Sequence, residues 1–238
     1  MTPADRGIAT TEDGGLLICG TTMAAAEPFA KWPGSNPRLP WFADTSGYRG
    51  SFTRAELVDI FRRAWKAWAD AIEIDPVAVD SAGQAWITKD FARIDGPSGT
   101  LAWSYLADNT NSKKRQRYDS GDGWILDTTT SPSGGIDLLR VAIHEIGHML
   151  GLEHDSGSAD AIMRPSYSPR LPTITARDIQ RVVGLGYKPR TGPPTSPPTP
   201  LPPPVSGIDL ALPGGGRLTA DYSAKAITYP AGWTARQS

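Results

Sequence analysis

Three histidines, the first followed directly by a glutamate, stand within eleven residues of a chain that has no other histidine: His144, Glu145, His148 and His154, in the run HEIGHMLGLEHD. Two imidazoles four residues apart lie one turn apart on the same helix face, so both reach one cation. His154 is out of reach if the helix continues, because ten residues of helix carry it about 15 Å along the axis. The helix must therefore stop first. Gly151 is the residue able to take the left-handed conformation that turns the chain back. Three neutral imidazoles leave the fourth tetrahedral position of Zn²⁺ open, as in a catalytic rather than a closed structural site. Glu145 is off the ligand face but within reach of a metal-bound water, whose pKa zinc lowers towards about 7, and a carboxylate there serves as general base.

The elements that must position these groups can be read from the same chain. A helix with Asp137 as N-cap and running to Leu150 carries the first two histidines and Glu145. Thr53-Arg-Ala-Glu56 is a capping-box pattern, and Leu57, Ile60, Phe61, Ala64, Trp65, Trp68 and Ile72 follow at helical spacing. A third helix is expected at about Ala176–Leu185. Ala85–Thr88 and Thr100–Leu106 read as strands separated by the turn Asp95-Gly-Pro-Ser-Gly99. The basic run Lys113-Lys-Arg-Gln-Arg117 reads as a solvated turn between strands.

The chain has 238 residues, with 24 basic and 25 acidic side chains, 39% hydrophobic and 21% charged residues. That is the composition of a soluble globular protein, and a net charge of −1 gives no electrostatic ground for a nucleic-acid partner. One cysteine excludes a disulfide within the chain, and no apolar run approaches the roughly 18 residues that span a bilayer. Residues 1–30 are expected to be a leader or short pro-segment, without a recognisable secretory signal. A folded domain is expected over 31–189 and a Pro-rich linker over 190–207. Residues 208–238 then form a tail that is too short to fold alone by burial.

HEIGHMLGLEHD, followed by Ala161-Ile-Met163-Arg-Pro165-Ser-Tyr167, resembles the extended zinc motif and Met-turn of the metzincin proteases, and specifically the matrixin (matrix metalloproteinase) catalytic domain. The likeness covers about Leu39–Tyr187. It implies an α+β fold over 31–189, a zincin-like catalytic domain with a twisted, mostly parallel five-stranded sheet and three helices. A cleft between a larger N-terminal and a smaller C-terminal subdomain is implied too. It implies Met163 as the hydrophobic base beneath the ligands, Pro165 and Tyr167 as walls of the S1′ pocket, and Arg140 as a side chain that makes this pocket shallower. The edge strand around Ala102 would pair with extended substrate.

The resemblance also implies a calcium site at Asp95, Asp119 and Asp122. Two positions that would hold a second, structural zinc carry Trp103 and Arg117, so a single zinc is expected. Cys19-Gly20 matches the place of a latency thiol that would cap the zinc, with an incidental thiol as the other reading. The function implied is a zinc-dependent endopeptidase that hydrolyses internal peptide bonds of extended protein segments, acting as a secreted or extracellular monomer on protein or peptide substrates. Two alternatives stand beside it: a metal-dependent binding module whose Pro-rich tail recruits a partner, and a self-processing protease.

Overall fold

The computed structural model describes residues 31–97, 99–107, 111–126, 135–158, 161–168 and 174–192, together with three short strands further along. The chain divides into two compact units, Met1–Pro198 and Thr199–Ser238.

The first unit is built on a five-stranded sheet. Its strands are β1 (Arg38–Asp44), β2 (Asp75–Ala78), β3 (Ile87–Ala92), β4 (Ala102–Ser104) and β5 (Lys114–Asp119), in the spatial order β2-β1-β3-β5-β4. The β1/β2, β1/β3 and β3/β5 ladders are parallel and only β4 runs antiparallel, so β4 forms one edge. Parallel neighbours need a crossover, and β1 passes to β2 through α1 (Arg54–Ala71). The Thr53 capping box closes on Glu56, and α1 buries Leu57, Ile60, Phe61, Ala64, Trp65, Trp68 and Ala69. Ile72 lies just outside the helix as its C-cap.

Two short strands, β6 (Trp124–Ile125) and β7 (Ile136–Asp137), lead into α2 (Leu138–Met149). Asp137 caps α2 by accepting from the Leu139 N–H, and Leu150 is its C-cap, as the sequence predicts. Two indoles pin this helix to the core: Trp68 Nε1 donates to the Ile143 carbonyl at 2.9 Å and Trp32 Nε1 to that of Met149 at 2.7 Å. The third helix, α3 (Ala176–Gly184), begins at a second capping box, Thr175 with Asp178. A mixed sheet with three helices makes this unit α+β.

Some local expectations shift. The strand expected at Ala85–Thr88 begins later, at Ile87, and continues to Ala92. The one expected at Thr100–Leu106 is reduced to the three residues of β4. Lys113–Arg117 is not a solvated turn. From Lys114 onward it is β5, inside the sheet, with Lys114, Gln116 and Tyr118 buried and Arg115 and Arg117 on the opposite face. Parallel pairing with β3 places it there, despite its composition.

The second unit contains an antiparallel three-stranded sheet of β8 (Gly207–Ala211), β9 (Arg217–Asp221) and β10 (Ala226–Thr228), in the order β10-β9-β8. The segment read as too short to fold by burial is therefore organised by backbone pairing. Cys19 lies outside the described residues, so the latency-thiol reading rests on sequence alone.

Candidate metal centre

His144 and His148 project from the same face of α2, both fully buried, and their Nε2 atoms lie 3.1 Å apart. Two nitrogens on one tetrahedral zinc, at the usual Zn–N length, sit about 3.4 Å apart, so the spacing suits a shared ion. Past Leu150 the chain reverses at Gly151, whose φ of 98° is the left-handed conformation expected of it. The Gly151 and Leu152 N–H groups donate back to His148 and Gly147 carbonyls at 2.8 and 2.9 Å. His154 is thereby returned beside the other two. One ligand atom from each ring lies within 4.8 Å of the others, the one such cluster of three among the described residues.

The far side of each helical imidazole is already engaged. His144 Nδ1 is 2.7 Å from the Ile162 carbonyl and His148 Nδ1 is 2.6 Å from that of Leu152. A carbonyl accepts only from a protonated Nδ1, which leaves Nε2 with a bare lone pair facing the cluster. His154 Nε2 is buried with no hydrogen-bond partner in the protein. An orphaned buried imidazole nitrogen beside two bare lone pairs is the donor set of a cation that prefers nitrogen, and it fits zinc.

Electrostatics favour the neutral, ligating form of all three rings. Burial holds His144 well below its ordinary 6.5, helped by His148 and His154. Burial, then His154 and Arg181, brings His148 down to about 3. Burial and the Arg181 guanidinium bring His154 down to about 4.

Glu145, which follows His144 on α2, is fully buried. Its carboxylate favours the charged form of Lys89, a lysine fully buried on β3. Met163 is completely buried, and its sulfur sits where a side chain on Gly147 would otherwise project. The adjoining Ile162 peptide links two elements. Its carbonyl faces His144, and its N–H donates to Asp178 Oδ2 on α3 at 3.1 Å. Tyr167 is brought to the N-terminus of α2, where its hydroxyl accepts from the Asp137 N–H at 2.9 Å. Arg140 is paired with Asp137 at 3.1 Å. Pro165 is half-buried between Met163 and Tyr167 in the chain.

The other sequence-marked residues fall elsewhere. Ala102 is buried on the edge strand β4, opposite Tyr118. Trp103 stands opposite Arg117 in the β4/β5 register, with the guanidinium 5.7 Å from the indole centre and 2.8 Å from Asp90. Asp95, Asp119 and Asp122 do not form a common ligand cluster in this structure. Asp119 Oδ2 accepts from the N–H groups of Ile94, Asp95 and Gly96, each at 3.0 Å, and both Asp95 oxygens accept from Thr100. Sequence reasoning missed the α3 side chains behind the site, Arg177, Asp178 and Arg181. Their signals were helical spacing on a short amphipathic segment and, for Asp178, the cap pattern Thr175-x-x-Asp178.

A family model for the matrixins matches residues 32–185. Metalloendoproteinase 1-MMP of Arabidopsis thaliana is 32% identical over 169 residues, covering 63% of this chain and 45% of that protein. Stromelysin-3 of Mus musculus is 30% identical over 165 residues, covering 66% of this chain and 30% of that protein. Matrix metalloproteinase-26 of Homo sapiens is 38% identical over 103 residues, covering 42% and 37%. The chain thus spans less than half the length of each of these relatives.

Proposed function

From the premise that the chain belongs to the matrixin family, we propose that it is a zinc endopeptidase that cleaves internal bonds of extended protein segments. The observation that carries this reading is the convergence of His144, His148 and His154, two of them fixed by carbonyls behind them, beside a buried carboxylate.

His144, His148 and His154 are the residues that hold the ion. Zinc bound there supplies a Lewis acid for the peptide carbonyl and makes water acidic enough to act near neutral pH. Glu145 takes the proton of the attacking water and passes it to the leaving amine nitrogen. The outer edge of β4 around Ala102 pairs with the substrate backbone, whose own donors and acceptors extend the sheet. Met163 floors the ligand cluster. Pro165 and Tyr167 wall the pocket for the residue after the cleaved bond, and Arg140, tethered to Asp137, narrows it. That pocket takes small or medium apolar side chains.

This reading assigns the zincin-like domain and its cleft to 31–189, followed by the linker at 190–207. It places the protein outside the cell as a monomer. No helix among the described residues is long and apolar enough to cross a membrane.

The test is digestion of a peptide library by the full chain and by Glu145→Ala, with and without a zinc chelator. Cleavage by the wild type alone, abolished by chelation, supports the proposal. Absence of cleavage by either protein refutes it, and cleavage confined to the chain itself points to self-processing.

A further inference from the structure

The third ligand is the vulnerable one. His144 and His148 inherit their spacing from a helix, but His154 lies past the Gly151 reversal in a segment without regular structure. Its placement depends on whatever holds its backbone, and most of that hold comes from one face of α3.

Arg181 Nη2 donates to the Glu153 carbonyl at 2.9 Å and reaches the His154 carbonyl at 3.4 Å. Its Nη1 lies 3.7 Å from Asp155 Oδ2. One turn earlier, Arg177 grips the same carboxylate with two nitrogens, Nε on Oδ2 and Nη2 on Oδ1 at 3.1 Å. Asp155 is 6% exposed, its Oδ1 also accepts from the Gly157 N–H at 2.9 Å, and its own N–H donates to the Met163 carbonyl at 2.7 Å. Residues 153, 154 and 155 are thus fixed in succession, two through carbonyls and one through a carboxylate. A planar guanidinium suits this task because its fork can serve several oxygens at once, which an ammonium cannot.

We infer that Arg181 and Asp155 are a positioning pair for His154 that sets how tightly the chain retains its metal. Neither touches the ion's place or the substrate; they act through the backbone of the third ligand. The inference rests on the zinc reading of the triad. Groups that orient metal ligands from behind typically govern affinity by about 10–100-fold.

Zinc affinity of the full chain is measured by competition with a chromophoric chelator, for wild type, Arg181→Met, Arg181→Lys, Asp155→Asn and His154→Ala. The expected result is about a 10–100-fold weaker affinity for Arg181→Met and Asp155→Asn, with Arg181→Lys between them and wild type. Thermal unfolding of the metal-free proteins is followed in parallel, and Arg181→Met is expected to unfold close to wild type. Wild-type affinity in Arg181→Met, while His154→Ala loses zinc, overturns the positioning role. So does a metal-free unfolding temperature that falls as far as the zinc-bound one, since that marks a purely structural contact. Retention of zinc by His154→Ala would instead overturn the zinc reading itself.

Discussion

Met163 lies directly against Gly147: a Cβ on the glycine would overlap the methionine sulfur and come within 3.2 Å of Trp68 Cζ2. Gly147 is on α2, one residue before His148, so the absence of a side chain lets Met163 pack against this helix. Gly147→Ala is expected to destabilise the protein by about 1–3 kcal/mol through overpacking, although alanine is the better helix former. Urea unfolding of Gly147→Ala, Met163→Ala and the double variant checks this. The double variant should recover part of the loss, and strictly additive effects would contradict the contact.

Lys89 is the least expected group in the core. It is fully buried, its ammonium bonds the Gln116 side-chain oxygen, and it lies 5.3 and 5.2 Å from the Phe61 and Trp65 rings. Burial lowers its pKa from 10.5 to about 7, against the pull of Glu145. Between those values the unfolded chain holds a proton that the folded chain lacks, so stability rises with pH through that window. Below about pH 7 both states are charged and the folded one carries the full penalty. Wild type should gain about 2–3 kcal/mol of unfolding free energy from pH 6 to pH 9 under zinc saturation. Lys89→Met should lose most of that slope, and an unchanged slope would show that other groups set it.

The triad's depressed basicity makes a separate forecast. With His148 brought down to about 3 and His154 to about 4, protons compete for the ligands only in strongly acidic solution. Zinc affinity should therefore be nearly flat from pH 8 to pH 5 and fall below that. Isothermal competition against a chelator of known protonation measures it. A tenfold loss of affinity per unit beginning near pH 6.5 would mean that the rings titrate as if exposed.

Metal content tests the expected number of ions. Trp103 and Arg117 face each other across β4 and β5, and Arg117 is committed to Asp90. A purified chain should contain one zinc by elemental analysis, and two would contradict the reading. Calcium at Asp95, Asp119 and Asp122 is checked by thermal unfolding in calcium and in EGTA. A calcium-dependent rise in Tm supports that site and an unchanged Tm removes it.

The ligand helix was legible because several signals agree along it: an Asp N-cap, apolar residues through the turn before His144, and a glycine where the chain must reverse. Helix α1 was legible for the same reason, its capping box and apolar stripe being local. Strand β5 was not. KRQRYD alternates as a strand should, but the residues facing inward include Lys114 and Gln116, which no hydrophobic pattern marks. Its place depends on pairing with β3, some 27 residues earlier in sequence. The α3 clamp was hidden for a related reason. Arg177 and Arg181 look like solvated charges until the fold sets them against Asp155 and the ligand backbone.

The domain's beginning and end meet at the catalytic helix: the Trp32 N–H donates to the Tyr187 hydroxyl at 3.1 Å, and its indole caps the Met149 carbonyl. Synthesis runs the other way. The ribosome finishes His154 some 33 residues before Tyr187, an interval of roughly two to seven seconds at ordinary elongation rates. For most of it the imidazoles exist while α3 is incomplete, and Tyr187 is added only at its end. The site therefore matures only once α3 and Tyr187 have joined it, so which metal is captured depends on the compartment where folding finishes rather than on the one where translation began.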